Sequence, residues 1–259
     1  MKMNRFLLFI FLLHGLLFQH RVDAQDYPVI SSGAYVGVRG SRLAWSADND
    51  KFLGYLIGPS CGIDYRQPTN VYVGYRFYYM FGSIFDGPCK RAAEVMNMQA
   101  RLGYTFGKTL LCTPYFGLGI DIAEFKRDHA KDACNHLAYT DINVPVGVVM
   151  TYHPSSTLSF GFDYQYSSEV DSYSRIGGFK NIRFELKEHA THSIELPIQF
   201  SYPQPRFKCV QYRIIPFYRT YYYGSGKLAC DCTCQTNATI GLPRQRAYEF
   251  GLRYEVAIW

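Results

Sequence analysis

The chain has 259 residues, 17% of them aromatic, and a formal charge of +6. Lys2, Arg5, Arg21 and Asp23 contribute a net +2 of this, and the +4 left is too weak a bias to argue for nucleic acid or another anionic partner. Past the first two dozen residues no stretch is long and apolar enough to cross a bilayer as a helix, and the length fits one large β domain or two small ones.

The first element in chain order reads as a secretory signal. Lys2 and Arg5 precede an apolar run over 6–18, interrupted only by His14 and Gly15, and Val22-Asp23-Ala24 offers small residues where a signal peptidase cuts. The run falls short of the roughly 18–20 residues a membrane helix needs, which argues against an uncleaved anchor. Residues 1–24 are therefore expected to be removed, leaving 25–259 as the mature chain.

From there on, apolar side chains alternate with polar ones or glycine, the period of a strand with two unlike faces. Segments 34–39 and 56–66 are weak; Val71, Val73, Tyr75, Phe77, Tyr79 and Phe81 then face away from Tyr72, Gly74, Arg76 and Tyr78. The alternation recurs over 96–106, 116–122, 142–152, 158–166 and 194–202, and more weakly over 208–221. It is clearest at the end, where Tyr248, Phe250, Leu252, Tyr254, Val256 and Ile258 alternate with Glu249, Gly251, Arg253, Glu255 and Ala257. The count is about ten strands, an even number.

Short connections near 67–70, 107–109, 153–156 and 203–206 alternate with long polar ones near 40–54, 82–92, 124–138, 167–190 and 222–245. An up-and-down barrel sorts its loops this way, with short turns in the periplasm and long loops outside. A soluble sandwich has polar outer faces and no reason for such sorting. The expectation is an all-β fold, a closed antiparallel up-and-down transmembrane β-barrel with outer-membrane lipid around it and both termini periplasmic. Lipid offers no partner to a backbone amide, so the sheet must close.

The inward faces sort by charge. Asp121, Asp141, Asp163 and Glu195 come from four consecutive strands; Arg39, Arg66, Arg76, Arg101, Arg213 and Arg219 come from the first four and the ninth. Rolled up, an acidic wall faces a largely basic one. Either the walls meet in ion pairs and fill a narrow barrel, or they set a transverse field across a water-filled constriction.

All eight cysteines fall in the mature part, in an oxidising compartment if the chain is exported. Cys89, Cys134, Cys230, Cys232 and Cys234 belong to the long connections, while Cys61, Cys112 and Cys209 lie near short turns. A disulfide needs Cα atoms within about 7 Å, so pairing should stay within each group, and crosslinks to envelope neighbours or to a second copy are open. The Cys230-x-Cys232-x-Cys234 run lacks zinc-type spacing, and neither a metal nor a cofactor is expected. No Asp-x-His spacing, phosphate loop or nucleophile elbow is present. His189 and His192 would point to opposite faces of a strand, so the histidines read as ordinary loop groups and no enzyme is expected.

Together, the signal, the strands and the C-terminal strand resemble bacterial outer-membrane barrel proteins. That resemblance implies recognition of Tyr254, Val256, Ile258 and Trp259 by the barrel-assembly machinery, although Trp259 sits on the inward parity and so departs from the usual pattern. The cysteine content adds a resemblance of composition to the cysteine-containing major outer-membrane proteins of intracellular bacteria. Two functions follow as expectations: a structural or porin-like envelope protein, or an adhesin binding a host surface ligand through its long loops, the Tyr221-Tyr222-Tyr223 end above all.

Overall fold

The computed structural model describes residues 32–47, 50–66, 70–86, 89–107, 110–127, 136–155, 157–177, 182–186, 189–202, 210–228, 241–242 and 244–258. The expected signal segment 1–24, Trp259, Cys134, Cys209, Cys230, Cys232 and Cys234 lie outside these residues, and Cys89 is described in its backbone alone.

Seven long strands lead: β1 (Gly33–Ala47), β2 (Asp50–Arg66), β3 (Val71–Asp86), β4 (Cys89–Tyr104), β5 (Leu110–Arg127), β6 (His136–Tyr152) and β7 (Leu158–Gly177). After the short β8 (Ile182–Leu186) come β9 (Ala190–Glu195) and β10 (Ile198–Tyr202), then β11 (Val210–Tyr223). The short β12 (Gly226–Leu228) and β13 (Gly241–Leu242) precede the final β14 (Gln245–Ile258). Every pairing is antiparallel and mostly sequential, and β14 returns to β1 from Tyr35↔Ala257 to Ala47↔Gln245. With β9 and β10 forming one wall strand between β7 and β11, this is a closed up-and-down barrel of 10 strands.

Pro197 explains why that wall strand divides in two. Proline has no N–H for the ladder, yet its carbonyl accepts from the Gly161 amide at 2.6 Å, and the Leu196 amide donates to Pro216 at 2.9 Å. The inward parity of Thr191, Ser193 and Glu195 therefore continues into Gln199 and Ser201. In β7, Ile142 opposes Asp171 while Asn143 opposes Glu169. Val170 is thus an extra residue, a bulge that resets parity so that Ser172 and Ser174 face inward after Ser167.

The strands outrun the expected ones at one end. Residues 40–54 and 82–92 were expected as long loops, but β1 and β2 pair up to Ala47↔Asp50, and β3 and β4 up to Asp86↔Cys89. A 17-residue strand such as β6 rises about 43 Å at ~3.3 Å per residue and ~40° tilt, against ~25–30 Å of hydrocarbon. About 15 Å is left over, all at the hairpin end, where β8, β12 and β13 extend the sheet of β7.

Polarity inverts where that extra height begins. Across the middle of the wall the outward residues are apolar, as along Ile142–Tyr152, and the inward ones are polar. Near the hairpins, outward positions become Arg42, Ser46, Lys51, Glu94, Glu124, Lys126 and Arg246, while inward positions become Leu43, Trp45, Ile84, Val95, Phe125 and Tyr139. Sheet alternation persists there with the opposite sign, which is why a search for apolar outward faces stops short of the true strand ends.

Candidate functional site

The candidate site is the barrel interior, and it is built in layers. At the short-turn end Arg213 of β11 donates to Asp64 of β2 at 3.1 Å, and the Tyr72 hydroxyl donates to the other Asp64 oxygen at 2.7 Å. Arg66 places its guanidinium 5.7 Å from the Tyr72 ring. A cavity of about 20 Å³ lies between these groups and Asp163, room for about one water.

The middle layer joins opposite walls. Arg76 of β3 contacts both Asp163 of β7 and Glu195 of β9 at 2.8 Å, and Arg101 of β4 contacts Asp163 at 2.7 Å. From β14, Arg253 adds a contact to Glu195 at 2.9 Å. The Tyr115 hydroxyl completes the shell of Asp163 at 3.0 Å, beneath the Arg101 guanidinium 4.4 Å above its ring. Asp163 and Glu195 are each 2% exposed, so these charges are stable only because each is met by several donors.

Higher up, Arg39 donates to Glu249 at 3.1 Å and lies over the Tyr78 and Phe217 rings at 4.1 and 3.6 Å. Arg219 bonds the Tyr78 hydroxyl and reaches toward Asp121 at 4.0 Å. Asp121 also accepts from the Asn97 and Asn143 side-chain amides at 2.7 and 2.9 Å. The expected acidic and basic walls therefore meet through Arg76, Arg101 and Arg219, whereas Arg39 pairs with a neighbouring strand.

Asp141 behaves differently from the rest of its wall. Among the described residues no arginine pairs with it; its Oδ2 lies 2.5 Å from Nδ1 of His189, a residue expected to be an ordinary loop group. The His189 ring stacks on Tyr223 at 4.2 Å with planes 7° apart, and its backbone amide donates to Glu169 at 2.7 Å. His192 points outward beside Tyr164 and Tyr166, so the two histidines do lie on opposite faces.

An aromatic plug closes the hairpin end. Trp45 packs within 5.0–5.1 Å of the Phe125, Tyr139 and Tyr223 rings, and its indole N–H donates to Gln245 at 3.0 Å. Leu43, Leu56, Met80, Ile84 and Val95 complete the cluster, and beneath it a second cavity of about 20 Å³ reaches down to Asp121 and Glu249. Sequence reasoning missed this plug, although the parity of β1, continued past Arg39, already puts Leu43 and Trp45 inward.

Two cysteines are described, and both are free thiols. Cys61 on β2 and Cys112 on β5 sit on outward parity with β3 and β4 between them. Three strand spacings of ~4.8 Å exceed disulfide reach, so these two members of the short-turn group do not pair with each other.

No protein-family model matches the chain, and no curated protein matches it. Solved structures match in fold. The outer-membrane protease OmpT of Escherichia coli superposes with a TM-score of 0.54 at 8% identity, over 92% of this chain and 99% of that one. Neisserial surface protein A gives 0.38 at 13% identity, over 87% and 97% of the two chains. An outer-membrane channel from Pseudomonas putida gives 0.41 at 11% identity, over 92% and 100%. At 8% identity the likeness to OmpT is one of fold alone, a closed antiparallel β-barrel of the outer-membrane type.

Proposed function

We propose that the mature chain is an outer-membrane envelope barrel whose interior is filled, acting as a structural scaffold and not as an open pore. The observation that carries this is the stacking of two barriers in one lumen: the Arg76–Asp163–Arg101 ties across the middle and the Trp45 plug above them. Side chains about fill even an eight-stranded barrel, and ten strands add little width. The first and last described strands meet at one end of the barrel, Tyr35 opposite Ala257, and in this reading that end is periplasmic after removal of residues 1–24. The His189–Asp141 pair is buried beneath Tyr223, which supports a packing role in place of catalysis. Free outward thiols at Cys61 and Cys112 support links to neighbours in the envelope, in keeping with the composition shared with cysteine-containing major outer-membrane proteins.

A second reading, a surface adhesin, draws on the projecting hairpins and the sheet extended by β8, β12 and β13. The deciding experiment is single-channel recording of the refolded mature protein in a planar bilayer. A heat-modifiable band on electrophoresis with a silent bilayer is expected. Steady openings would show the filled interior to be wrong and make the opposed charges a selectivity filter.

A further inference from the structure

His189 lies between β8 and β9 and is held from three other strands at once. Asp141 of β6 meets its Nδ1 at 2.5 Å, Glu169 of β7 accepts its backbone N–H at 2.7 Å, and the Tyr223 ring of β11 stacks on it. Below this point β9 pairs with β7 and β11, up to Ser168↔Ala190 and Tyr222↔Ala190. Above it β8 takes over, from Tyr173↔Glu185 on β7 and Gly226↔Leu186 on β12. The imidazole therefore sits at the joint between the barrel wall and the sheet that extends beyond it.

The joint gathers negative charge. Asp141 stands opposite Asp121 across the β5–β6 ladder, and both face inward. With Glu169 this makes three carboxylates, against the imidazole and Arg219, which reaches Asp121 at 4.0 Å. Asp171 follows on the outer face, and Tyr139 and Tyr221 flank the Tyr223 ring at 5.2 and 6.3 Å, so none of these adds a cation. Asp141 is 3% exposed, and among the described residues no donor other than the imidazole reaches its oxygens. A charged imidazole balances that carboxylate. A neutral one leaves it buried beside Asp121 with a single hydrogen bond.

We propose that His189 is a proton-operated clamp: charged, it fastens the start of β9 to β6, β7 and β11, and on losing its proton it releases the sheet of β8, β12 and β13. Histidine is the side chain whose charge ordinarily changes between about pH 5 and 8. Because the joint holds more carboxylates than cations, an added proton stabilises the closed form, and the closed form loses stability as pH rises. The clamp goes beyond the scaffold reading and does not depend on whether the lumen conducts.

The test is hydrogen–deuterium exchange of the mature protein folded in phosphatidylcholine vesicles, at about pH 5.5 and about pH 8 with intrinsic rates corrected. Segment 182–195 is expected to be on the order of tenfold more protected at the lower pH, with β1 and β2 unchanged. His189→Gln, which can donate a hydrogen bond but cannot charge, should lack the difference and exchange fast at both values. Asp141→Asn, which keeps the shape and removes the carboxylate, should also lack it but stay protected at both. Protection independent of pH in the unaltered protein overturns the clamp, as does a pH difference that survives in His189→Gln. If His189→Gln yields no folded, heat-modifiable barrel, Asp141→Asn decides, and a pH difference that persists there overturns the clamp equally.

Discussion

Arg101 spends its whole guanidinium inside the barrel: Nε donates to Gln99 at 2.6 Å, Nη1 to Asp163 at 2.7 Å and Nη2 to Gln165. Replacing it with leucine still leaves Asp163 with Arg76 and Tyr115, whereas Asp163→Leu takes from buried Arg101 its ion-pair partner and from Arg76 one of two, leaving Arg76 with Glu195. We therefore expect Asp163→Leu to cost about 3–5 kcal/mol and Arg101→Leu measurably less, read as urea midpoints of the vesicle-folded protein. Asp141→Leu should also destabilise, through the loss of its contact with His189. The sequence put Arg101 and Asp163 on opposite walls from parity and strand order, and in the structure the two side chains meet at 2.7 Å. It could not reveal the His189 contact, because the inward direction of that residue is set by where β9 joins the wall between β7 and β11.

At the scale of elements, the informative feature is the inversion of polarity along single strands. In β1, Val36 and Val38 are exposed on the outward face while Arg39 is buried, yet six residues past Arg39 the buried side chain is Trp45. One strand thus presents two kinds of outer face, apolar along its lower part and polar along its upper part, and the inward residues change sign with it. Trp45→Ala should cost about 3–5 kcal/mol through the cavity it leaves among Phe125, Tyr139 and Tyr223. It should do so with the bilayer still silent, because the arginine layer lies below. An equal loss of stability accompanied by conductance would show the plug to be the sole barrier. The ends of β1 to β4 were misjudged from sequence for a plain reason: the apolar outward face covers only part of each strand.

For the molecule as a whole, the two barriers act in series. Removing the plug alone (Trp45→Ala/Tyr223→Ala) or the cross-ties alone (Arg76→Ala/Arg101→Ala) should leave single-channel recordings silent, and combining the four changes should give openings. Conductance from either pair would mean that one layer already leaks. A barrel built this way gains rigidity from ties that span its interior.

Alternation, an even strand count and the sorting of inward charges are properties of neighbouring residues along one strand, so the sequence by itself determined the barrel, its facing and the opposition of its walls. What fills the lumen depends on which inward side chains meet across it, and those partners are far apart in the chain: Arg76 with Glu195, Arg101 with Asp163, and Tyr139 with Gln245. Such meetings follow from strand tilt and register, which only the closed tertiary structure decides.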